Sequence, residues 1–264
     1  MLHQKVKHKM FSLILNQDKT KTFVYIIQHM SLFSDYLKMS FTKDALMIRC
    51  LNECQTSIAD VKLSYETMFK SYNTDNVVEL FVSSSLLYKM LNVLDYNKDV
   101  ELMVTDTNIS IIGYGINTKI TYKLNALNLD IQDITIPDDI NYMVDITLPT
   151  KTLCDTIDNM MIIGEDCMIT CREEQMECQS TGDNGTIDIS ILVDQLEEYA
   201  IEEGGIIRQS YHLKLLHIIS CFQKLSDSIY IKMSNDKPLY MLYKLDKNET
   251  SFIRFLVAPK IMDD

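Results

Sequence analysis

Glycine and proline are scarce: seven Gly and four Pro among 264 residues, far below the share that collagen-like or low-complexity chains need. No uninterrupted apolar run approaches the ~18 to 20 residues of a membrane-spanning helix, and residues 1–9, rich in His and Lys, hold no apolar signal region. These absences lead to the expectation of a packed, soluble, intracellular protein with no membrane association.

Enzyme signatures are missing as well. There is no glycine-rich phosphate loop followed by Lys and Ser or Thr, no paired-His metal helix and no glycine fingerprint for a dinucleotide; Gly204-Gly205 is an isolated turn signal. The five His, at 3, 8, 29, 212 and 217, have no nearby Ser or Cys plus acid arrangement of the kind nucleophilic catalysis uses. The seven Cys, at 50, 54, 154, 167, 171, 178 and 221, are odd in number and match no paired framework, which favours reduced thiols. Cys50 and Cys54, like Cys167 and Cys171, are separated by three residues. A zinc site needs four converging ligands, no His lies near either pair, and Cys in strands serves as a small apolar filler. The acidic run Glu197, Glu198, Glu202 and Glu203 could chelate a divalent cation for nuclease chemistry, but solvated charge in a loop is the commoner use. The expectation is a protein that is not an enzyme, with no catalytic residue, metal or cofactor.

What is present is apolar bulk, 47% of residues, enough for two domains at this length. The net charge of −12 excludes a uniformly basic nucleic-acid binder. Charge is also uneven: residues 1–130 hold 14 Lys plus Arg against 13 Asp plus Glu, whereas residues 131–264 hold 11 against 24. The boundary falls in residues 125–139, NALNLDIQDITIPDD, which lacks helical spacing and reads as a linker run across a surface. The expected domains are a basic extension over 1–9, a first domain over 10–124, the connector 125–139 and a second domain over 140–264.

Periodicity finds one order of elements twice. In the first half, a strand at 11–15 precedes a helix with Phe23, Ile26, Ile27 and Met30 inward and Lys19 and Lys21 at its start. Strands follow at 46–51, 56–63 and 77–82, then a helix with Leu87, Met90, Leu91 and Leu94 inward, then strands at 100–105, 109–114 and 119–124. The second half offers a strand at 142–148, a helix over 151–161 with Leu153, Ile157 and Met161 inward, strands at 167–171, 175–180 and 186–191, a helix over 211–225, and strands at 228–234, 240–245 and 251–257. The alternation of residues 186–191, TIDISI, is that of a half-buried strand.

The end of the chain is the most specific stretch. Residues 252–264, FIRFLVAPKIMDD, resemble the closing strand and acidic tail of the PCNA family, the DNA sliding clamps. Further resemblance runs in family order through Leu127, Leu129-Asp130, Ile136-Pro137, Leu148-Pro149, Ile169, Cys171, Gly182, Gly185, Leu225-Ser226, Met233-Ser234, Asp236, Pro238-Leu239 and Tyr243. It spans about 124–264; over 10–121 element order carries it more than identity, and residues 1–9 look like an extension. The resemblance implies an α+β DNA clamp fold: two topologically similar strand-rich domains, each with two helices, in a homotrimer ring whose helices surround duplex DNA without reading sequence. It implies a processivity factor that tethers a DNA polymerase and other replication or repair proteins through short peptides. It also admits an ATP-dependent clamp loader, and a nucleus or a cytoplasmic viral replication compartment as the place of work. The alternative is a clamp-fold adaptor in viral late transcription or checkpoint signalling.

Carried over by position, the resemblance implies phosphate contacts from Lys19, Lys21, Lys89, Lys151, Lys214 and His217. Here the chain departs from the family pattern, with Asp155 and Asp158 where relatives carry Arg and Cys221 where Lys is usual. The implied partner-peptide pocket comprises Leu51, Ile58, Ile134, Ile136, Pro137, Pro238, Leu256, Ala258, Pro259 and Ile261. Leu256 replaces a common Tyr, and Gln55 a His at the mouth. The implied subunit interface uses Lys119, Ile120, Tyr122 and Leu124 of one edge strand and Gly185, Ile187 and Ile189 of another. Glu173 occupies the position of the family's ubiquitin-acceptor Lys.

Overall fold

The computed structural model describes residues 10–72, 74, 77–130, 134–136, 140–235 and 237–261. The chain forms two compact units, one from residues 1–50 and 60–133, the other from residues 51–59 and 134–264. The division falls inside the stretch read as a connector, of which 131–133 and 137–139 lie outside the described residues.

The elements come in two equivalent series. The first is β1 (Met10–Leu15), α1 (Gln17–Phe33), β2 (Tyr36–Phe41), β3 (Ala45–Leu51), β4 (Ser57–Ser64), the single turn α2 (Tyr65–Met68), β5 (Phe69–Tyr72), β6 (Val78–Ser83), α3 (Ser84–Asn92), β7 (Val100–Thr105), β8 (Asn108–Tyr114) and β9 (Lys119–Asn125). The second is β10 (Val144–Pro149), α4 (Thr150–Met161), β11 (Asp166–Cys171), β12 (Gln175–Gly182), β13 (Gly185–Leu192), a 3-10 turn (Val193–Gln195), β14 (Glu198–Ile201), β15 (Ile207–His212), α5 (Leu213–Ser220), a second 3-10 turn (Cys221–Lys224), β16 (Ser228–Met233), β17 (Leu239–Lys244) and β18 (Phe252–Val257).

Neighbouring strands run in the orders β5-β1-β7-β8-β9 and β6-β2-β3-β4 within the first series, and β14-β10-β16-β17-β18 and β15-β11-β12-β13 within the second. Adding nine to each strand number of the first series gives the second. The single turn after β4 has its counterpart in the 3-10 turn after β13.

Each series builds its core by the same means. Strands alternate, as in β8 and β16, where every second side chain is buried. Helices supply an apolar stripe at helical spacing: Phe23, Ile26, Ile27 and Met30 from α1, and Leu153, Ile157 and Met160 from α4. α1 packs on α3 and α4 on α5. Ser83 caps α3, its Oγ accepting from Leu86 N at 3.4 Å. Thr150 ties the start of α4 to the loop before β16 by donating to Ser226 O at 2.9 Å. At Gly182 a Cβ would stand 1.9 Å from Ile163 O, so β12 can pass under that carbonyl only as glycine.

Several elements differ from the periodicity reading. Four strands, β2, β5, β14 and β15, are additional. Met161 is 42% exposed and Met160 takes the inward position, because at 100° per residue the stripe through Leu153 and Ile157 meets residue 160. The helix read over 211–225 is α5 alone, since Tyr211 and His212 finish β15 and residues 221–224 tighten into a 3-10 turn. Leu94 is buried but follows α3. Glu198, read as part of an acidic loop, starts β14. Cys50 lies in the core of the first unit and Cys167, Cys171 and Cys178 in that of the second. Burial pushes the Cys171 thiol up to about 12, so it stays protonated and serves as an apolar filler.

Candidate functional site

Three surfaces collect the residues singled out from the sequence. The first is the outer face of the helices. In the first unit, Lys21 and Lys89 are exposed and Lys19 is half-buried near the start of α1. In the second, Lys151 and Lys214 are exposed on α4 and α5. Among the described residues, Lys19, Lys21, Lys89 and Lys214 pair with no acid. Lys151 differs: its Nζ donates to Asp155 Oδ2 at 2.7 Å, and that bond, with the charge of Asp155, raises the ammonium above its ordinary range. His217 Nδ1 lies 3.1 Å from Asp158 Oδ1, joining α5 to α4. Both acids that depart from the family pattern therefore have a local basic partner.

The second surface is a pair of sheet edges. β9 closes one sheet of the first unit and β13 one sheet of the second, each with a neighbour on one side only among the described residues. On β9, Ile120, Tyr122 and Leu124 share one face and Lys119, Thr121 and Lys123 the other. On β13, Ile187, Ile189 and Ile191 share one face, while Asp188 lies on the other and accepts from Gln179 Nε2 at 2.6 Å. One edge is basic beside its apolar row and the other acidic.

The third surface belongs entirely to the second unit, which contains Leu51, Ile58, Ile134, Ile136, Pro238, Leu256, Ala258, Pro259 and Ile261. Pro137 lies outside the described residues. Leu51, Ile58, Ile134, Ile136, Pro238 and Pro259 are half-buried and Ala258 is exposed. Leu256 is 5% exposed, so it belongs to the floor of this surface. Ile261 is 94% exposed. The turn before β4 meets the tail where Ala258 N donates to Thr56 O at 2.9 Å, and Gln55 makes that turn possible with φ of 57°.

Sequence reasoning missed two aromatics here. Tyr240 stands directly opposite Leu256 on β17, and the Tyr142 ring centroid is 6.1 Å from that of Tyr240. Tyr142 Oη is buried and has no hydrogen-bond partner among the described residues, and burial pushes the phenol up to about 12. The only signal for it in the sequence was the position of Tyr142 just after the connector. Glu173 accepts from Gly204 N at 2.7 Å through Oε1.

Residues 135–260 match the family model described as "Proliferating cell nuclear antigen, C-terminal domain". That stretch of the chain resembles the C-terminal domain of the PCNA family. Among curated PCNA relatives, "Proliferating cell nuclear antigen 2" of Drosophila melanogaster is 23% identical over 84% of this chain and 87% of its own length. "Probable DNA polymerase sliding clamp 2" of Paramecium bursaria Chlorella virus 1 is 20% identical over 98% and 94%. The fold matches a crystal structure of a PCNA2-PCNA3 complex from Sulfolobus tokodaii with TM-score 0.81 at 20% identity, over 95% of this chain and 99% of that one. It also matches the Entamoeba histolytica PCNA with TM-score 0.80 at 17% identity, over 96% and 98%. The two-series architecture is that of the PCNA clamps, and the described residues form an α+β fold of two similar strand-rich halves. Among the described residues no helix is long and apolar enough to cross a membrane.

Proposed function

We propose that this chain acts as a DNA sliding clamp, joining two further copies head to tail into a ring around duplex DNA and tethering a polymerase by a short peptide. The match of residues 135–260 to the PCNA C-terminal domain carries the reading. Three features of the chain support its parts.

For ring closure, β9 and β13 each present a row of unpaired backbone groups, an apolar row and charges of opposite sign. Pairing the two satisfies both edges and removes an aggregation hazard. For DNA, the unpaired Lys19, Lys21, Lys89 and Lys214 suit screened, sequence-independent contacts with phosphates. Such a protein acts by topology and needs no catalytic group. For partner capture, the surface around Pro259 and Ile261 offers apolar side chains in need of cover, fit for a peptide with aromatic anchors.

Primer extension on a circular template tests the reading. Products should lengthen only when the clamp is loaded, and sedimentation should give three times the chain mass of 30.6 kDa. A monomer at working concentration that leaves extension unchanged would overturn it.

A further inference from the structure

The tail that carries Pro259 and Ile261 is held at alternate residues. Ala258 N donates to Thr56 O at 2.9 Å and Lys260 N to Ser210 O at 2.8 Å, so the backbone is fastened on one side to the turn before β4 and on the other to β15. The Lys260 side chain adds a third tie, its Nζ reaching Asp166 Oδ2. Asp166 opens β11 directly opposite His212, the last residue of β15. Its second oxygen, Oδ1, is buried and lies 2.8 Å from His212 Nδ1. One carboxylate thus stands between two basic groups contributed by different segments.

We propose that Asp166 is a positioning residue for partner recognition: by holding Lys260 on one oxygen, with His212 beside the other, it fixes residues 258–261 in the attitude a peptide meets. The role rests on the peptide-capture reading given above. The core does not require this cluster, since the side chains of Lys260, Asp166 and His212 are 33%, 39% and 62% exposed. Its consequence falls on Ile261. That side chain projects almost wholly into solvent from a backbone fastened one residue earlier, so the strap enters binding already ordered, and the ordering cost that would otherwise weaken association is reduced. Without the carboxylate the strap would lose its side-chain tie.

Full-length trimer serves for the test, as wild type, Asp166→Asn and Asp166→Glu. Hydrogen exchange at the Lys260 amide, without peptide, reports whether the strap is held. Calorimetry with a peptide carrying Gln and two aromatic anchors reports recognition. Asp166→Asn should speed exchange at Lys260 and weaken peptide binding about three- to tenfold, and Asp166→Glu, which keeps the charge, should restore most of both. Unchanged exchange in Asp166→Asn, or faster exchange with unchanged affinity, would overturn the positioning role while leaving peptide capture intact. Absence of binding by the wild type would overturn peptide capture itself and the role with it.

Discussion

Lys151 Nζ and Asp155 Oδ2 stand 2.7 Å apart, one turn along α4. The nearest basic group on that face is thereby committed to its own helix, as His217 is to Asp158 at 3.1 Å. Removing both carboxylates should release both bases toward phosphate. Asp155→Ala with Asp158→Ala is expected to strengthen clamp–DNA association at low salt and to steepen the salt dependence by up to about 0.9 in slope for every additional phosphate neutralised. A salt titration of DNA binding checks this; an unchanged slope would mean that α4 lies away from the phosphates.

The four unpaired lysines should behave in the opposite sense. Lys19→Ala, Lys21→Ala, Lys89→Ala and Lys214→Ala together should flatten the salt slope by about one unit for every phosphate left without its lysine and impair loading, with the sedimentation coefficient of the trimer preserved. Loading that stays intact at every salt concentration removes this face from the DNA path.

Ring closure should depend on the edges. Ile189→Pro deletes a backbone donor from β13 and bends it, so the variant should sediment as a monomer. Tyr122→Ala on β9 leaves the backbone whole and should shift the monomer–trimer equilibrium toward monomer. Two variants that both remain trimeric would place the subunit contact elsewhere.

In the partner surface, truncating a central apolar anchor typically costs about 2 kcal/mol or more. Ile136→Ala and Ile261→Ala should each cut peptide affinity by at least about tenfold without disturbing the ring. Calorimetry measures both, and peptide binding that survives each substitution would point to a different docking surface.

Asp246 offers a stability test in the turn between β17 and β18. Its carboxylate accepts from Asn248 N at 2.9 Å, Thr250 N at 3.1 Å, Thr250 Oγ1 at 3.0 Å and Ser251 N at 2.6 Å. Burial alone would raise its pKa, but these bonds outweigh it and the pKa is lowered. A carboxyl whose folded pKa lies below its unfolded value of about 3.9 stabilises the fold above that value and loses the contribution as pH falls through the folded one. Asp246→Asn should therefore cost about 1 kcal/mol at pH near 7, and the gap from wild type should shrink in urea titrations at a pH of about 3 or below.

Much of the fold was legible because its strands alternate and its helices carry clean stripes. β2, β5, β14 and β15 were not. β5 and β14 have only four residues each, too short for alternation to register. β15 ends at His212, where α5 starts at the next residue, so its side chains read as one helical run with those that follow. The site residues came from the resemblance of the tail and blocks such as Pro238-Leu239, which name positions but not partners. Asp166 and Lys260 are 94 residues apart, and no local pattern links them. The same holds for His217 and Asp158, whose meeting depends on how α5 packs against α4. Long-range pairs between polar side chains leave no periodic trace.

The strand-for-strand equivalence of the two series has a consequence for selectivity. Halves built on one plan offer edges of similar backbone shape, so backbone geometry alone would let like meet like and produce chains joined in either polarity. Charge removes part of that degeneracy. The later half carries 24 acidic against 11 basic residues, while the earlier half is close to neutral; two later halves approaching each other meet long-range repulsion, and a later half approaching an earlier one does not. In the proposed ring, a copy presenting its later half to another later half would be turned away before any edge formed, and added salt, by shortening the reach of that repulsion, would erode this discrimination first.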